Sequence, residues 1–127
     1  MRTSMHRRTP SSMLLDGVNH VAILATDTDR LVAFYQEVFD ATVSGQMPAG
    51  EDALLTFVDI GPFAELNVFE VRDNSEAQRQ TPMFGRGRID HLGLQAASLD
   101  AFDTIRGRLM ERGATDGFVT DFGRILS

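Results

Sequence analysis

The stretch GVNHVAILATDTDRLVAFYQEVFDATV, residues 17–43, joins the pattern of a buried strand to that of an amphipathic helix. Residues 17–25 form a short apolar run, which predicts a β-strand. From Leu31 onward, apolar residues recur at positions i, i+3, i+4 and i+7, and this spacing predicts a helix with one apolar face. His20 interrupts the apolar strand, so its ring nitrogens need a hydrogen-bond partner or a ligand.

Three further strand-like runs follow the predicted helix and are separated by turns that contain Pro and Gly. They lie at residues 41–47, 53–60 and 63–71. The helix is expected to be capped by Asp27 or Thr28, since either side chain can accept a hydrogen bond from an N–H group of the first turn. Residues 17–72 therefore predict a β-α-β-β-β module.

The same pattern begins again at Arg88. When His91 is aligned on His20, an offset of 71 residues, Asp27 falls on Ser98, and both residue types favour a helix N-cap. The apolar positions of the two helices also coincide: Leu31 with Phe102, Phe34 with Ile105, Val38 with Leu109 and Phe39 with Met110. Agreement at this many positions indicates an internal duplication of one module.

The second copy is shorter than the first, because a complete module would run past Ser127. It is expected to contain a strand around His91, a helix followed by Gly113, then one strand and the start of another. The predicted fold class is α+β, with the second module truncated in this chain. The expected organisation is a flexible tail at 1–15 and one domain at 16–127, made of module 17–72, linker 73–87 and partial module 88–127.

The composition of the chain excludes several classes of partner. It has 127 residues, 43% of them hydrophobic and 24% charged, which is typical of one globular domain. The net charge is −6, and an acidic surface disfavours nucleic acid and anionic membranes. No apolar run approaches the roughly 20 residues of a membrane span. The absence of cysteine excludes disulfides and thiolate metal sites and fits a cytoplasmic location.

The alternation of side chains along a strand predicts which residues share a face. One face of the first strand holds His20, Ala22 and Leu24, and the other holds Val21 and Ile23. In the run 63–71, one face holds Phe63, Glu65, Asn67 and Phe69, whereas Glu70 lies on the opposite face with Leu66 and Val68. The two equivalent histidines and a polar residue of the last run are therefore expected to converge on the face that no helix covers.

Imidazole nitrogens and a carboxylate oxygen suit a divalent first-row metal such as Zn, Ni, Co, Mn or Fe. Two histidines and one carboxylate also leave positions open for water or substrate, as catalysis requires. The alternative is that each histidine is simply hydrogen-bonded, and that Glu65 is a solvated strand residue. The equivalent placement of His20 and His91 favours the metal site. The third histidine, His6, lies in the predicted tail and is expected to be inert.

The segment NHVAILATDTDRLVAFYQEVFDATV, followed later by DHLGL, resembles the vicinal oxygen chelate superfamily, also called glyoxalase/bleomycin-resistance/extradiol-dioxygenase proteins. The resemblance covers about residues 17–127. It implies paired β-α-β-β-β modules that form a cupped mixed sheet around a divalent metal. Members catalyse glyoxalase isomerisation, epimerisation, extradiol ring cleavage and fosfomycin-type addition, while others bind drugs such as bleomycin without metal. Members often dimerise, so a homodimer is one of the assemblies that the resemblance implies.

The resemblance also implies roles for individual residues. His20 matches the ligand on the first strand, and His91 matches the ligand that opens the second module. Glu65 matches the ligand on the fourth strand, and in an alternative register Asn67 takes that position. The fourth ligand is expected on the last strand of the second module, near position 136 and beyond this chain. A carboxylate near the metal, for which that fourth ligand is a candidate, is expected to serve as general base, and no catalytic residue within this chain is assigned.

Three functions remain open at this point, and the first is favoured because of the paired histidines. The first is a divalent-metal-dependent enzyme of lyase, isomerase or dioxygenase type that acts on a small oxygenated metabolite. The second is a metal-free protein that binds an aromatic or cationic molecule, for which Phe57, Phe63 and Phe69 would line the site. A non-catalytic module of a larger assembly is a third interpretation.

Overall fold

The computed structural model describes residues 13–127. Residues 1–12, with His6 and most of the predicted tail, lie outside the described part of the chain. The elements are β1 His20–Leu24, α1 Thr28–Phe39, β2 Val43–Pro48, β3 Ala53–Asp59, β4 Glu65–Val71, a 3-10 turn at Glu76–Gln78, and α2 Leu99–Glu111. The described chain divides into two compact units, one of residues 18–92 and one that contains residues 93–127.

The first unit contains one open, mixed sheet of four strands in the order β1-β4-β3-β2. Strands β1 and β4 are parallel, whereas β3 is antiparallel to both β4 and β2. The parallel pair follows from the helical connection, because α1 carries the chain across the sheet and β4 then closes against β1. The predicted β-α-β-β-β module and the α+β class are confirmed.

Two contacts define where α1 begins. The Asp27 carboxylate accepts a hydrogen bond from the Arg30 N–H at 3.1 Å, so Asp27 rather than Thr28 is the N-cap residue. The Thr28 N–H, which no helical carbonyl can satisfy, donates to Oε1 of Glu70 on β4 at 2.7 Å. The helix ends at Phe39. Asp40 follows as its C-cap in a left-handed conformation (φ 55°), and its N–H donates to the Gln36 carbonyl at 3.1 Å.

The hydrophobic core of the first unit lies between α1 and one face of the sheet. Val58, Leu66 and Val68 are almost completely buried there. The partly buried residues packed around them come from β1, from α1 and from the loops that follow: Val21, Ile23, Ala25, Leu31, Val32, Tyr35, Ala41 and Ile60. The face of β1 and β4 that carries Val21 and Leu66 is therefore covered by α1. The other face carries His20 and Glu65.

The second unit contains α2, and its ends agree with the sequence pattern. The Ser98 hydroxyl accepts a hydrogen bond from the Ala101 N–H at 3.0 Å, which confirms Ser98 as the N-cap. Gly113 has a φ of 64°, and its N–H donates to the Met110 carbonyl at 3.0 Å. The Ala114 N–H donates to the Leu109 carbonyl at 2.9 Å, which completes a Schellman motif.

The prediction of strands in the second module is wrong for the described residues. Residues 88–96 contain no strand, and the end of the chain holds only a turn closed by the bridge between Asp121 and Leu126. A strand needs a neighbour for its backbone hydrogen bonds. In the first module β1 pairs with β4 alone, and no strand of the described residues pairs with residues 88–96 in the same way.

Neither of the two helices in the described part of the chain has the length and apolar character that crossing a membrane requires.

Candidate functional site

His20 and Glu65 occupy partnered positions on the adjacent parallel strands β1 and β4. Parallel strands lie about 4.8 Å apart, and partnered residues project from the same face of the sheet. The Glu65 N–H donates to the backbone carbonyl of Asn19 at 3.1 Å, and this bond sets the register where the pair is located. An imidazole and a carboxylate therefore stand side by side on the face that α1 leaves uncovered.

The ring of His20 is held by the residue that precedes it. Nδ1 of His20 lies 2.8 Å from Oδ1 of Asn19. A carboxamide oxygen only accepts hydrogen bonds, so this contact requires the proton on Nδ1. In the neutral ring, Nε2 then carries a lone pair and is the nitrogen available to a ligand.

Asp59 lies beside this pair on a third strand, so that the three residues form a row across the sheet. It is the antiparallel partner of Glu65, so His20, Glu65 and Asp59 lie across β1, β4 and β3 on one face. Its Oδ2 accepts a hydrogen bond from the Thr42 hydroxyl at 2.8 Å. Asp59 is not among the residues predicted from the sequence, because only the register between β3 and β4 brings it beside Glu65.

Asn67 lies on the same face as Glu65 but is not next to His20. Its partners in the sheet are Ala22 on β1 and Phe57 on β3. Its Oδ1 is buried and has no hydrogen-bond partner among the described residues. The register therefore favours Glu65 over Asn67 as the companion of His20, while Asn67 offers an unused acceptor two positions along the strand.

Glu70 lies on the opposite face of β4, as the alternation of side chains predicted. Its carboxylate accepts the hydrogen bond from the Thr28 N–H at the start of α1. This contact stabilises the positive end of the helix dipole. Glu70 therefore has a structural partner on the α1 side of the sheet and is separate from the row that contains His20.

His91 lies in a loop, and its side chain is 82% exposed. Its Nδ1 is 2.7 Å from Oδ2 of Asp90. Arg88 holds the loop, since its guanidinium donates to the backbone carbonyls of Thr81, at 2.6 Å, and of Asp90, at 3.2 Å. Within residues 13–127, no three or more His, Asp or Glu side chains are grouped so that they could hold a metal ion. The structure thus brings His20 and Glu65 together but does not join His91 to them as a third ligand.

The aromatic residues expected at the site differ in position. Phe57 and Phe69 lie on the same face as His20 and are partly buried. Phe63 precedes β4, and 87% of it is exposed, so its predicted place on the strand is wrong. Glu65 begins the strand because Gly61 and Pro62 interrupt the backbone pairing just before it.

An open cleft of about 680 Å³ lies away from His20 and Glu65. It is lined by residues from the turn before β3, from β3 and β4, and from the segment after β4, including Glu51, Asp52, Glu70, Arg72 and Asp73. Its lining contains none of the predicted ligands.

The model of the Glyoxalase/Bleomycin resistance protein/Dioxygenase superfamily matches residues 17–121, which is most of the chain. The match spans both copies of the repeat. The chain belongs to this superfamily. Two solved structures support the assignment through their fold. A glyoxylase/bleomycin resistance protein/dioxygenase domain from Frankia sp. EAN1pec is 22% identical, with a TM-score of 0.66 over 84% of this chain and 78% of that one.

The second structure is that of a protein called Oxidase ChaP-H2, which is 26% identical with a TM-score of 0.51. The alignment covers 80% of this chain and 65% of that protein, so this chain spans less than two thirds of the oxidase's length. No curated protein matches the chain.

Within this superfamily domain, two neighbouring side chains are of the types that serve as metal ligands. His20 offers a nitrogen and Glu65 an oxygen on neighbouring strands, and this donor pair suits a divalent first-row ion. Oδ1 of Asn67, which has no hydrogen-bond partner within residues 13–127, lies on the same face. The residues present therefore fit two positions of such a site.

The residues that hold the histidine rings were not predicted from the sequence. Asn19 and Asp90 each precede a histidine, and they stand at the same offset of 71 residues as the histidines themselves. That repetition was the sequence signal that could have identified them. Side-chain geometry was needed to interpret it, because an asparagine before a strand is equally compatible with a turn.

Proposed function

We propose that this superfamily domain binds a divalent metal ion through His20 and Glu65 and acts on a small oxygenated molecule as a lyase, isomerase or dioxygenase. The observation that supports this most directly is the register of β1 and β4, which partners His20 with Glu65 on the uncovered face. His91 is proposed as a further ligand.

Each residue has a separate part in this proposal. Nε2 of His20 binds the ion, because Nδ1 is already engaged with Asn19. Glu65 contributes a carboxylate oxygen and compensates part of the positive charge. A bound ion would supply Lewis-acid polarisation of neighbouring substrate oxygens. Phe57 and Phe69 would form the apolar floor that orients the substrate and excludes water.

The similarity to a protein called an oxidase supports the dioxygenase type of reaction among the three classes. The absence of cysteine supports a cytoplasmic location, and we extend the proposal to a homodimer because members of the superfamily often dimerise.

A second candidate is a metal-free protein that binds an aromatic or cationic molecule. Phe57 and Phe69 on the uncovered face favour it, as does Leu24, which lies on the same face of β1 and is 46% exposed. The net charge of −6 would attract a cationic ligand.

Metal binding by the full chain tests the first candidate. The ions Zn²⁺, Ni²⁺, Mn²⁺, Co²⁺ and Fe²⁺ are titrated separately into metal-free protein by calorimetry, and the ions retained on gentle purification are measured by elemental mass spectrometry. We expect about one ion per chain. His20→Ala and Glu65→Gln should abolish this binding, whereas Glu51→Gln, in an exposed turn, should retain it.

Binding that survives both His20→Ala and Glu65→Gln would overturn the proposed ligands. Failure to bind any of the five ions would favour the second candidate, and aromatic cations would then be titrated into the unaltered chain. If an ion binds, enolisable, vicinal-oxygen and catecholic compounds are assayed with the loaded protein.

A further inference from the structure

We propose that Asn19 and Asp90 are positioning residues, each of which fixes the tautomer and orientation of the histidine that follows it. The tautomer does not depend on any bound metal. The consequence for metal affinity rests on the proposed function.

The two contacts have the same form in both copies of the repeat. Asn19 Oδ1 is 2.8 Å from Nδ1 of His20, and Asp90 Oδ2 is 2.7 Å from Nδ1 of His91. One side chain is a neutral carboxamide and the other a carboxylate. What they share is an acceptor oxygen directly before the ring, so the repeat preserves the acceptor and not the charge.

An acceptor at Nδ1 has a definite effect on a neutral imidazole. The ring carries one N–H, and an oxygen at hydrogen-bond distance places that proton on Nδ1. Nε2 is then left as the unprotonated nitrogen in both histidines. Without the acceptor, the ring would exchange between two tautomers and turn more freely about its side-chain bonds.

The backbone holds each acceptor in place. The Asn19 carbonyl accepts the Glu65 N–H, so the residue that orients His20 is also tied to the strand that carries Glu65. The Asp90 carbonyl accepts a hydrogen bond from Arg88, and Oδ1 of Asp90 is buried without a partner among residues 13–127. The two backbone hydrogen bonds limit the movement of the main chain that carries each acceptor.

Substitutions can distinguish the effect of the acceptor oxygen from the effect of side-chain volume. Asn19→Leu and Asp90→Leu remove the acceptor while keeping a similar size. Asn19→Asp and Asp90→Asn exchange the two acceptors that the repeat already uses. His6 provides a reference within the same molecule, because it follows Met5 and so has no acceptor side chain before it.

The tautomers are measured on metal-free protein by long-range ¹H–¹⁵N correlation of ¹⁵N-labelled histidine, under conditions in which the correlation pattern shows one proton on each ring. We expect Nδ1 to be protonated in His20 and His91. Asn19→Leu should change His20 alone to a mixture of tautomers, and Asp90→Leu should change His91 alone. The two exchange variants should keep the pattern of the unaltered chain.

Protonation at Nε2 in the unaltered protein, or unchanged shifts in both Leu variants, would overturn the proposal. If a Leu variant does not fold, the spectrum of the unaltered chain still decides which nitrogen carries the proton. For an ion that binds at His20, Asn19→Leu should weaken affinity about 10- to 100-fold, and Asn19→Asp should retain it. If no ion binds to the unaltered chain, the proposed function fails while the tautomer result stands.

Discussion

The Thr28 N–H donates to Oε1 of Glu70 at 2.7 Å and thereby joins the first turn of α1 to β4, 42 residues later in the chain. The bond satisfies an N–H that has no helical partner and places a carboxylate at the positive end of the helix dipole. The bond thus stabilises the packing of α1 against β4 on the face of the sheet opposite His20.

Loss of this carboxylate should destabilise the domain. We expect Glu70→Ala to lower the free energy of unfolding by about 1–2 kcal/mol, because it leaves the Thr28 N–H without an acceptor in a partly buried place. Urea unfolding measures the change. Glu51→Ala, at an exposed turn residue, is the control and should change the free energy little. Equal effects of the two substitutions would contradict the role of Glu70.

The N-cap of each helix should contribute separately to the free energy of unfolding. Asp27→Ala and Ser98→Ala each remove an acceptor for a first-turn N–H, so each should cost about 0.5–2 kcal/mol. Amide hydrogen exchange assigns the loss to α1 in the first variant and to α2 in the second. Ser75→Ala is the matched control, since Ser75 precedes a 3-10 turn without making a side-chain cap. Loss of protection in that control would show that these effects are not due to capping.

Truncation of Leu66 should be far more damaging than truncation of an exposed phenylalanine. Leu66 is 1% exposed within the core under α1, and Leu66→Ala should lower the free energy of unfolding by about 2–5 kcal/mol through lost burial and the cavity left behind. Phe63→Ala should change it by less than about 0.5 kcal/mol. Thermal and urea unfolding of both variants provide the comparison, and a large effect at Phe63 would mean that its ring is buried.

Ionisation of the partly buried Tyr35 should lower the free energy of unfolding at alkaline pH. Burial beside Phe34 and Phe39 raises the pKa of Tyr35 above its ordinary value of 10.0. Because the unfolded chain gives up the phenolic proton first, the stabilisation is complete below pH 10 and is lost as pH rises through the folded-state pKa. The unaltered chain should therefore lose stability over this range.

The chain suits this measurement, since it contains one tyrosine and neither tryptophan nor lysine nor cysteine. Absorbance of the tyrosinate reports the titration of Tyr35 alone, and urea unfolding at several alkaline pH values gives the stability. Tyr35→Phe should remove the alkaline decline. A decline of the same size in that variant would show that another group causes it.

The local patterns of the first module predicted its elements because neighbouring residues carry the information. The spacing of apolar residues placed α1, and the alternation along β4 put Glu65 and Glu70 on opposite faces, as observed. The caps at Asp27 and Ser98 followed from side-chain chemistry within three residues. A strand around His91 could not be judged in this way, because its formation depends on a partner from elsewhere in the chain.

The sequence by itself determined the duplicated pattern, the order of elements in the first module and the two histidines at equivalent positions. Only the tertiary structure decided that Glu65, and not Asn67, is the neighbour of His20, and that Asp59 continues their row. Helix periodicity and strand alternation are short-range properties, whereas the register between β1 and β4 joins residues 45 positions apart through backbone hydrogen bonds. No periodicity along the chain encodes that register.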